Sequence, residues 1–362
     1  MKTTWRLVIK LTLATACLTA LASCARQDIP VAAGDPVVTI MAFNVENLFD
    51  NKDDPGKDDR SYLPAAAKQS QAHKDACAAI DSDYWREQCL HWDWSDQIVD
   101  RKLSAIAAAI LQVGNGRGPD IVALQEVENI GILERLRTEY LADAGFIVSA
   151  LVEGRDDRGI DVAFLSKLPL AGDPVLHDIG FTGDIDDREK DTRGILQADF
   201  RLPDGTVLTG FSVHFPAPYH PTAMRVDAYR RLNELHAKLP AGRPAFAAGD
   251  FNTTTAEDRR EAMLERYARP RWTVAHEQGC DGCRGTNYYR PNDSWSFLDM
   301  ILWSPGDAPG VKTQWRLRPG SVAIANRVPE QVTSRGTPAR FSLPEGSGVS
   351  DHWPIMMSIE SQ

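Results

Sequence analysis

The chain has 362 residues, 43% of them hydrophobic and 25% charged, which excludes a disordered or fibrous chain and allows one large or two ordinary domains with a buried core. Its formal net charge of −10 argues against a broad basic nucleic-acid-binding face, although one local groove can differ from the whole. No internal repeat, low-complexity tract or coiled-coil heptad run is present.

The first residues read as an export signal. Lys2, Arg6 and Lys10 form a positive region, and "LTLATACLTALA" is an apolar segment too short to span a bilayer. Two processing sites compete. "LASC" (Leu21 to Cys24) resembles a bacterial lipobox, in which Cys24 is lipidated, while "ALA" (Ala20 to Ala22) fits ordinary signal peptidase. The lipoprotein reading is preferred, because a Cys directly after such a segment is otherwise unexpected. It gives a leader over 1–23, a tether over 24–35 and a domain over 36–360. The mature protein is then exported, either secreted or lipid-anchored at the bacterial cell envelope (periplasm or cell surface). Losing three positive and no negative residues takes the net charge from −10 to −13.

"PVVTIMAF" (36–43) is apolar and β-branched, as in a buried strand. "DNKDDPGKDDR" (50–60) is charge-dense but lacks the spaced acidic pattern of an EF-hand loop, and reads as a solvated loop. Residues 96–113 carry Val99, Leu103, Ile106, Ile110 and Val113 at helical steps, one apolar stripe. "GNGRGPD" breaks that helix and "IVALQEV" is the next strand. A short helix over about 129–141 and the strand "IDVAFLS" follow. "GILQADFRL" and "TVLTGFSVHF" flank "PDG" as an antiparallel hairpin. A helix near 222–238, the strand "PAFAAGDF", a helix near 256–267, "SFLDMILW" and "VSDHWPIMMSI" complete the pattern. Interleaved helices and hairpins exclude a purely parallel βαβ wheel and imply mixed sheets with helices outside.

Cys17 lies inside the leader and Cys24 is the lipidation candidate. Cys77, Cys89, Cys280 and Cys283 remain, an even number that reads as two disulfides in an oxidising compartment. Cys77–Cys89 with Cys280–Cys283 is the simplest of three connectivities; a four-thiolate zinc site suggested by "CDGC" is the alternative.

Polar residues stand where strands end: Asn44 and Glu46, Gln125 and Glu126, His214, then Asp250 and Asn252. Asp299 sits inside "SFLDMIL", and Asp351 with His352 begins the last strand. Each alone reads as a turn or cap residue. Five apolar strands ending in carboxylate, amide or imidazole are harder to explain that way, because strand ends of a layered fold converge on one rim. Such oxygen donors suit Mg²⁺ or Mn²⁺, with Ca²⁺ a third choice. With an Asp to deprotonate water and a His to stabilise charge, they suit phosphoester hydrolysis. No Walker A, dinucleotide-glycine or G-x-S-x-G pattern is present.

"AFNVENLFD", "IVALQEVEN", "VHFPAP", "GDFN", "FLDMIL" and "SDHWP" occur in the order seen in the endonuclease/exonuclease/phosphatase superfamily, which includes deoxyribonuclease I, abasic-site endonucleases, sphingomyelinases and inositol-polyphosphate phosphatases. The resemblance covers about 36–360. It implies a four-layer αββα sandwich, an α/β (α+β) fold with two mixed sheets face to face and helices outside. By the same resemblance Glu126 is the principal metal carboxylate, with Asn44 and Asp351 as companions. Asp250 aligns or activates water, and Asn252 holds it and the phosphate. His352, oriented by Asp299, and His214 contact the phosphate. Arg158 and Arg193 precede strands where phosphate-binding arginines can sit. The Trp-rich "YWREQCLHWDW" (84–94) has no counterpart in the minimal family pattern and reads as packing beneath a disulfide-tied loop.

"FNVENLFD" with "LQEVEN" looks most like the secreted bacterial nucleases. The expected function is therefore a monomeric, metal-dependent endonuclease acting on DNA or RNA. The alternatives are a phospholipid or inositol-phosphate esterase with the same site, and an inactive binding lipoprotein.

Overall fold

The apolar runs are buried on both faces and form two mixed sheets. The first sheet receives β1 (Val37–Leu48), β2 (Ile121–Val127), β3 (Val148–Leu151) and β4 (Asp161–Ser166). The second receives β5 (Val175–His177), β6 (Ile195–Arg201), β7 (Val207–His214), β8 (Ala245–Asp250) and β9 (Thr273–Val274). A small hairpin, β10 (Asn287–Tyr289) and β11 (Ser294–Ser296), leads to β12 (Asp299–Ser304) in the second sheet. The chain ends in the first sheet with β13 (Trp315–Leu317), β14 (Ala323–Ile324) and β15 (Ile355–Ser361). Strand orders are β13-β15-β1-β2-β4-β3, with β14 on β15, and β5-β6-β7-β8-β12-β9. β1–β2 and β7–β8 pair in parallel, while β1–β15, β6–β7 and β8–β12 are antiparallel.

This computed structural model describes residues 36–182, 192–307 and 314–361, all within the unit Asp35–Gln362. The expected leader over 1–23, Cys24 and the tether over 24–35 lie outside the described residues.

Alternation at period two sorts the side chains into layers. Ile40 and Ala42 of β1, Ala123 of β2 and Phe164 of β4 meet Phe200, Phe246 and Ile301 between the sheets. The Phe164 ring lies 5.3 Å from that of Phe200 and 6.1 Å from that of Phe246, both edge-on. Met41, Phe43, Val122 and Leu124 point the other way, onto the helix Asp96–Leu111, whose Val99, Leu103, Ile106 and Ile110 form the expected stripe. Phe211, Val213 and Ala247 pack likewise against Ala228, Tyr229 and Leu232. The helices are α1 (Gln71–Ala78), α2 (Asp83–His91), α3 (Asp96–Leu111), α4 (Ile130–Arg135), α5 (Thr222–Ala237) and α6 (Thr255–Glu261). The result is the αββα sandwich expected from the sequence.

Several boundaries differ. The last strand starts at Ile355, not at Asp351, because Pro354 has no N–H to offer a ladder. Asp351 and His352 instead occupy the loop before it. Asp299 is the first residue of β12. The helix expected to run to 267 stops at Glu261, where Ala262 turns left-handed (φ 51°). The 50–60 loop is not wholly solvated, since Asp59 is buried.

Both expected disulfides are present, Cys77–Cys89 and Cys280–Cys283, which removes these thiols from any zinc site. Cys77–Cys89 ties α1 to α2 across 12 residues of sequence. In a chain-entropy account, opening a loop of that size costs about 3 kcal/mol. A Cys77→Ser/Cys89→Ser variant should show that loss in urea unfolding, whereas opening the short Cys280–Cys283 loop should cost less.

Candidate active site

Strand register brings the expected residues together. His214 and Asp250 are direct partners across β7–β8, Asp250 and Asp299 across β8–β12, and Asn44 faces Gln125 across β1–β2. In both β1 and β2 the ladder shifts register after these residues, between Asn44 and Leu48 and between Gln125 and Val127. Glu46, Asn47 and Glu126 there take φ of 54°, 59° and 64°, and Asn252 after β8 takes 50°. A left-handed Glu is strained, and such strain concentrates where side chains are aimed for function. Gly249 fits before Asp250 because any Cβ would collide with the Val213 carbonyl.

Asn44 Nδ2 donates to both Glu126 Oε1 and Asp250 Oδ2, each at 3.1 Å. Its Oδ1 accepts from Glu46 N at 3.0 Å, so as placed Asn44 orients two carboxylates rather than presenting an oxygen. Glu126 Oε2 also accepts from Asn47 N at 3.0 Å. Asn252 N donates to Asp250 Oδ1 at 2.8 Å, and its side-chain amide donates to the Phe215 carbonyl. His214 Nε2 stands 3.6 Å from Asp250 Oδ2 and 3.9 Å from Glu126 Oε1. His352 Nδ1 pairs with Asp299 Oδ2 at 2.6 Å, with its Nε2 4.0 Å from Asp250 Oδ2 and 3.9 Å from Asp351 Oδ1.

The two imidazoles are driven apart. Burial, with Arg193, Arg158 and His352 nearby, holds His214 well below the usual histidine range. His352 is buried too, but the Asp299 carboxylate, hydrogen-bonded to it, keeps it well above that range. Burial and the neighbouring Asp299 push Asp250 up to about 7 against the pull of His352. Glu126 and Asp250 flank His214, and Asp250 and Asp351 flank His352, while Asp299 Oδ1 and His214 Nδ1 are buried without a partner. Oxygen donors set along one rim are the ligand type that a hard divalent cation takes.

The softer arginines divide. Arg193 is buried, with Nη1 2.9 Å from Asp156 Oδ2. Arg158 is exposed and donates to Asn47 Oδ1 at 2.6 Å, within the field of Glu126. Sequence reasoning assigned nothing to Glu46. Its buried carboxylate accepts from Arg340 Nε at 2.5 Å and, through Oε2, from Phe341 N and Asp351 N at 3.0 Å each. Ser350 adds a bond to the Asn44 carbonyl at 2.7 Å, so the 349–353 loop is fixed to the end of β1.

A model of the Endonuclease/Exonuclease/phosphatase family matches residues 96–352. The chain belongs to that family.

Members of this family are phosphoesterases and typically use divalent metal ions. Solved structures of similar fold include an endonuclease/exonuclease/phosphatase family protein of Bacteroides thetaiotaomicron, at TM-score 0.54 and 17% identity, covering 91% of this chain and 99% of that one. D. rerio TDP2 humanized by 14 mutations aligns at TM-score 0.55 and 16% identity, covering 90% and 99%. A mannosyl-6-phosphatase of B. thetaiotaomicron aligns at 0.51 and 17%, covering 89% and 99%. None of the curated proteins matches the chain.

Beside this rim opens a cleft of about 690 Å³. Glu46, Asn47 and Arg340 line the end nearest Glu126 and Asp351, and Tyr62, Tyr84, Trp85, Trp92, Trp94 and Phe341 line the remainder. The 84–94 insert is therefore only partly packing. Trp94 is buried edge-on to Tyr62 and Phe341. Tyr84 and Trp85 are exposed by 56% and 48%.

Proposed function

We propose that this chain is an endonuclease that hydrolyses the phosphodiester bonds of DNA or RNA by in-line attack of water. The observation that carries this reading is the chain Asp299–His352–Asp250: a buried imidazolium held by one carboxylate faces a second carboxylate, beside Glu126. Asp250, fixed by Asn252 and Asn44, takes the proton from the attacking water. His352, kept charged by Asp299, stabilises the negative charge that develops on the phosphoryl oxygens, and neutral His214 donates a hydrogen bond to them. Glu126 and Asp351, with Asn44 orienting Glu126, would hold a divalent ion, which when bound would supply Lewis-acid stabilisation of negative charge; Mg²⁺ or Mn²⁺ is the first choice and Ca²⁺ the next. Arg158, near Glu126, would meet a non-scissile oxygen, whereas Arg193 would act through Asp156 and its field on His214.

The aromatic cleft supports nucleic acid as substrate. Base–aromatic stacking is worth about 1–3 kcal/mol per base and needs no broad basic face, which accommodates the acidic net charge. Trp85→Ala should accordingly raise KM on DNA by about tenfold and leave hydrolysis of bis(p-nitrophenyl) phosphate unchanged. The exposed Tyr84 and Trp85 also suit a lipid interface, the second reading. We further propose that the mature protein is a monomer exported to the bacterial cell envelope, released by cleavage after residue 23 and anchored through Cys24. Labelled palmitate incorporation lost in Cys24→Ser would support the anchor.

The deciding experiment is incubation of the purified mature protein with supercoiled plasmid and Mg²⁺ or Mn²⁺. We expect nicking that EDTA abolishes and added metal restores. Cleavage of sphingomyelin vesicles without plasmid nicking would move the substrate to lipid.

A further inference from the structure

Residues 84–91 of the Trp-rich insert lie on α2, where helical spacing sorts their side chains. Tyr84 and Gln88 are four apart and share one side of the helix, with Trp85 beside them. The Cys77–Cys89 disulfide ties α2 to α1 at the residue after Gln88, which makes this surface a braced one. Gln88 is the odd member. It lines the aromatic cleft yet is 4% exposed, and neither Oε1 nor Nε2 of its amide has a hydrogen-bond partner. Its main chain is satisfied, since its carbonyl accepts from Trp92 N at 3.0 Å. A buried amide bonded to nothing is unfavourable, and an apolar side chain of the same length would fill the space without that cost. At the end of the cleft nearest the rim stands Arg340, whose side chain is 57% exposed. Its Nε bonds Glu46 at 2.5 Å and its Nη2 lies 3.5 Å from Asp351 Oδ2.

We infer that the cleft is a subsite for one unstacked nucleobase of a single-stranded nucleic acid, beside the phosphate that is cleaved. The inference rests on the phosphodiesterase reading above and adds the form of substrate that the enzyme takes. Tyr84 and Trp85 offer the base an aromatic face, and the Gln88 amide turns to its edge. Arg340 meets the phosphate between that base and the rim, where a guanidinium suits it. Adenine fits a glutamine amide well, since its N6 amino group and N7 pair with the amide oxygen and nitrogen together. A lipid chain can cover the rings but has nothing to give the amide. In a duplex the bases are stacked on one another, so a duplex must open before it fills the cleft.

The test measures binding in chelator, where no cleavage interferes, by fluorescence anisotropy of labelled strands. The probes are a short oligodeoxyadenylate, the same strand annealed to its complement, and a deoxyribose-phosphate strand without bases. We expect the single strand to bind about tenfold or more tighter than either of the others. Trp85→Ala and Gln88→Met should each weaken it by about tenfold, toward the value of the strand without bases. Gln88→Met should leave hydrolysis of bis(p-nitrophenyl) phosphate unchanged and melt no lower than the wild type, because it removes an unanswered amide. A glutamine that served the fold alone would lower Tm on substitution and leave binding unchanged. Tyr84→Ala, at an exposed position, repeats the binding test should Gln88→Met not fold. Equal binding of strands with and without bases, or unchanged affinity in Gln88→Met, would overturn the subsite even where plasmid is nicked. Binding as expected without any nicking would keep the subsite and remove the endonuclease reading instead. Binding to sphingomyelin vesicles that Trp85→Ala abolishes, with none to the single strand, would overturn the subsite in favour of lipid.

Discussion

In the His352→Ala variant, kcat on a phosphodiester falls by about a thousandfold or more, with KM little changed. The size follows from what the imidazolium does. It is the buried positive charge nearest Asp250, and it acts where water is excluded and charge is weakly screened. Asp299→Asn should cost about a hundredfold, since it removes the carboxylate that keeps the ring charged and aimed. The double variant should be about as slow as His352→Ala, because Asp299 reaches the phosphate through His352 and its remaining effect is on the protonation of Asp250. Stability separates this from simple damage. His352→Ala leaves Asp299 Oδ2 without its partner beside an Oδ1 that already has none, so Tm falls. Adding Asp299→Asn removes the orphaned charge and restores much of that loss. A double variant slower than either single, or His352→Ala with near-normal kcat, would contradict the assignment.

Asp250→Asn should lower kcat by about a thousandfold or more and yet raise Tm in chelator at pH 8. Burial beside Asp299 lifts the Asp250 carboxyl from 3.8 to about 7. A carboxyl whose folded value is raised disfavours folding once the unfolded chain has ionised, and the full penalty is present above pH 7. Asn cannot ionise and keeps the shape, so the variant escapes that penalty while giving up one of the two bonds that Asn44 and Asn252 donate. The gap between variant and wild-type Tm should narrow as pH falls below 7, where Asp250 takes up its proton. Calorimetry across pH 5 to 8 reads this directly. A Tm for Asp250→Asn that is lower at pH 8 would mean the carboxylate stabilises the fold.

The strands and the rim they share were readable because period-two apolar runs and their polar ends are local features. β1, β2, β7, β8 and β12 each carry the signal within about seven residues. Glu46 shows what local reading misses. Its partner Arg340 lies 294 positions away, and nothing near either residue marks the pair. Lys102 is similar: no motif singles it out, yet it is buried and donates to the Val349 carbonyl at 2.8 Å. Asp59 was hidden for another reason, since a dense acidic run looks solvated whichever member is turned inward. The Asp351–His352 boundary slipped because the apolar run after them masks the proline that delays the strand. The αββα layering followed from the motif order more than from any pattern within one element.

β1 and β15 pair from Val37–Glu360 to Ala42–Ile355, and Ser361 N bonds the Pro36 carbonyl at 3.1 Å. Both ends of the domain therefore lie at the end of the interior β1–β15 pair farthest from Asn44, about 23 Å along β1 from the chemistry. A fusion partner carried beyond Pro36 or Ser361 would therefore join the domain on the side away from the rim, and the chemistry would stay open to substrate.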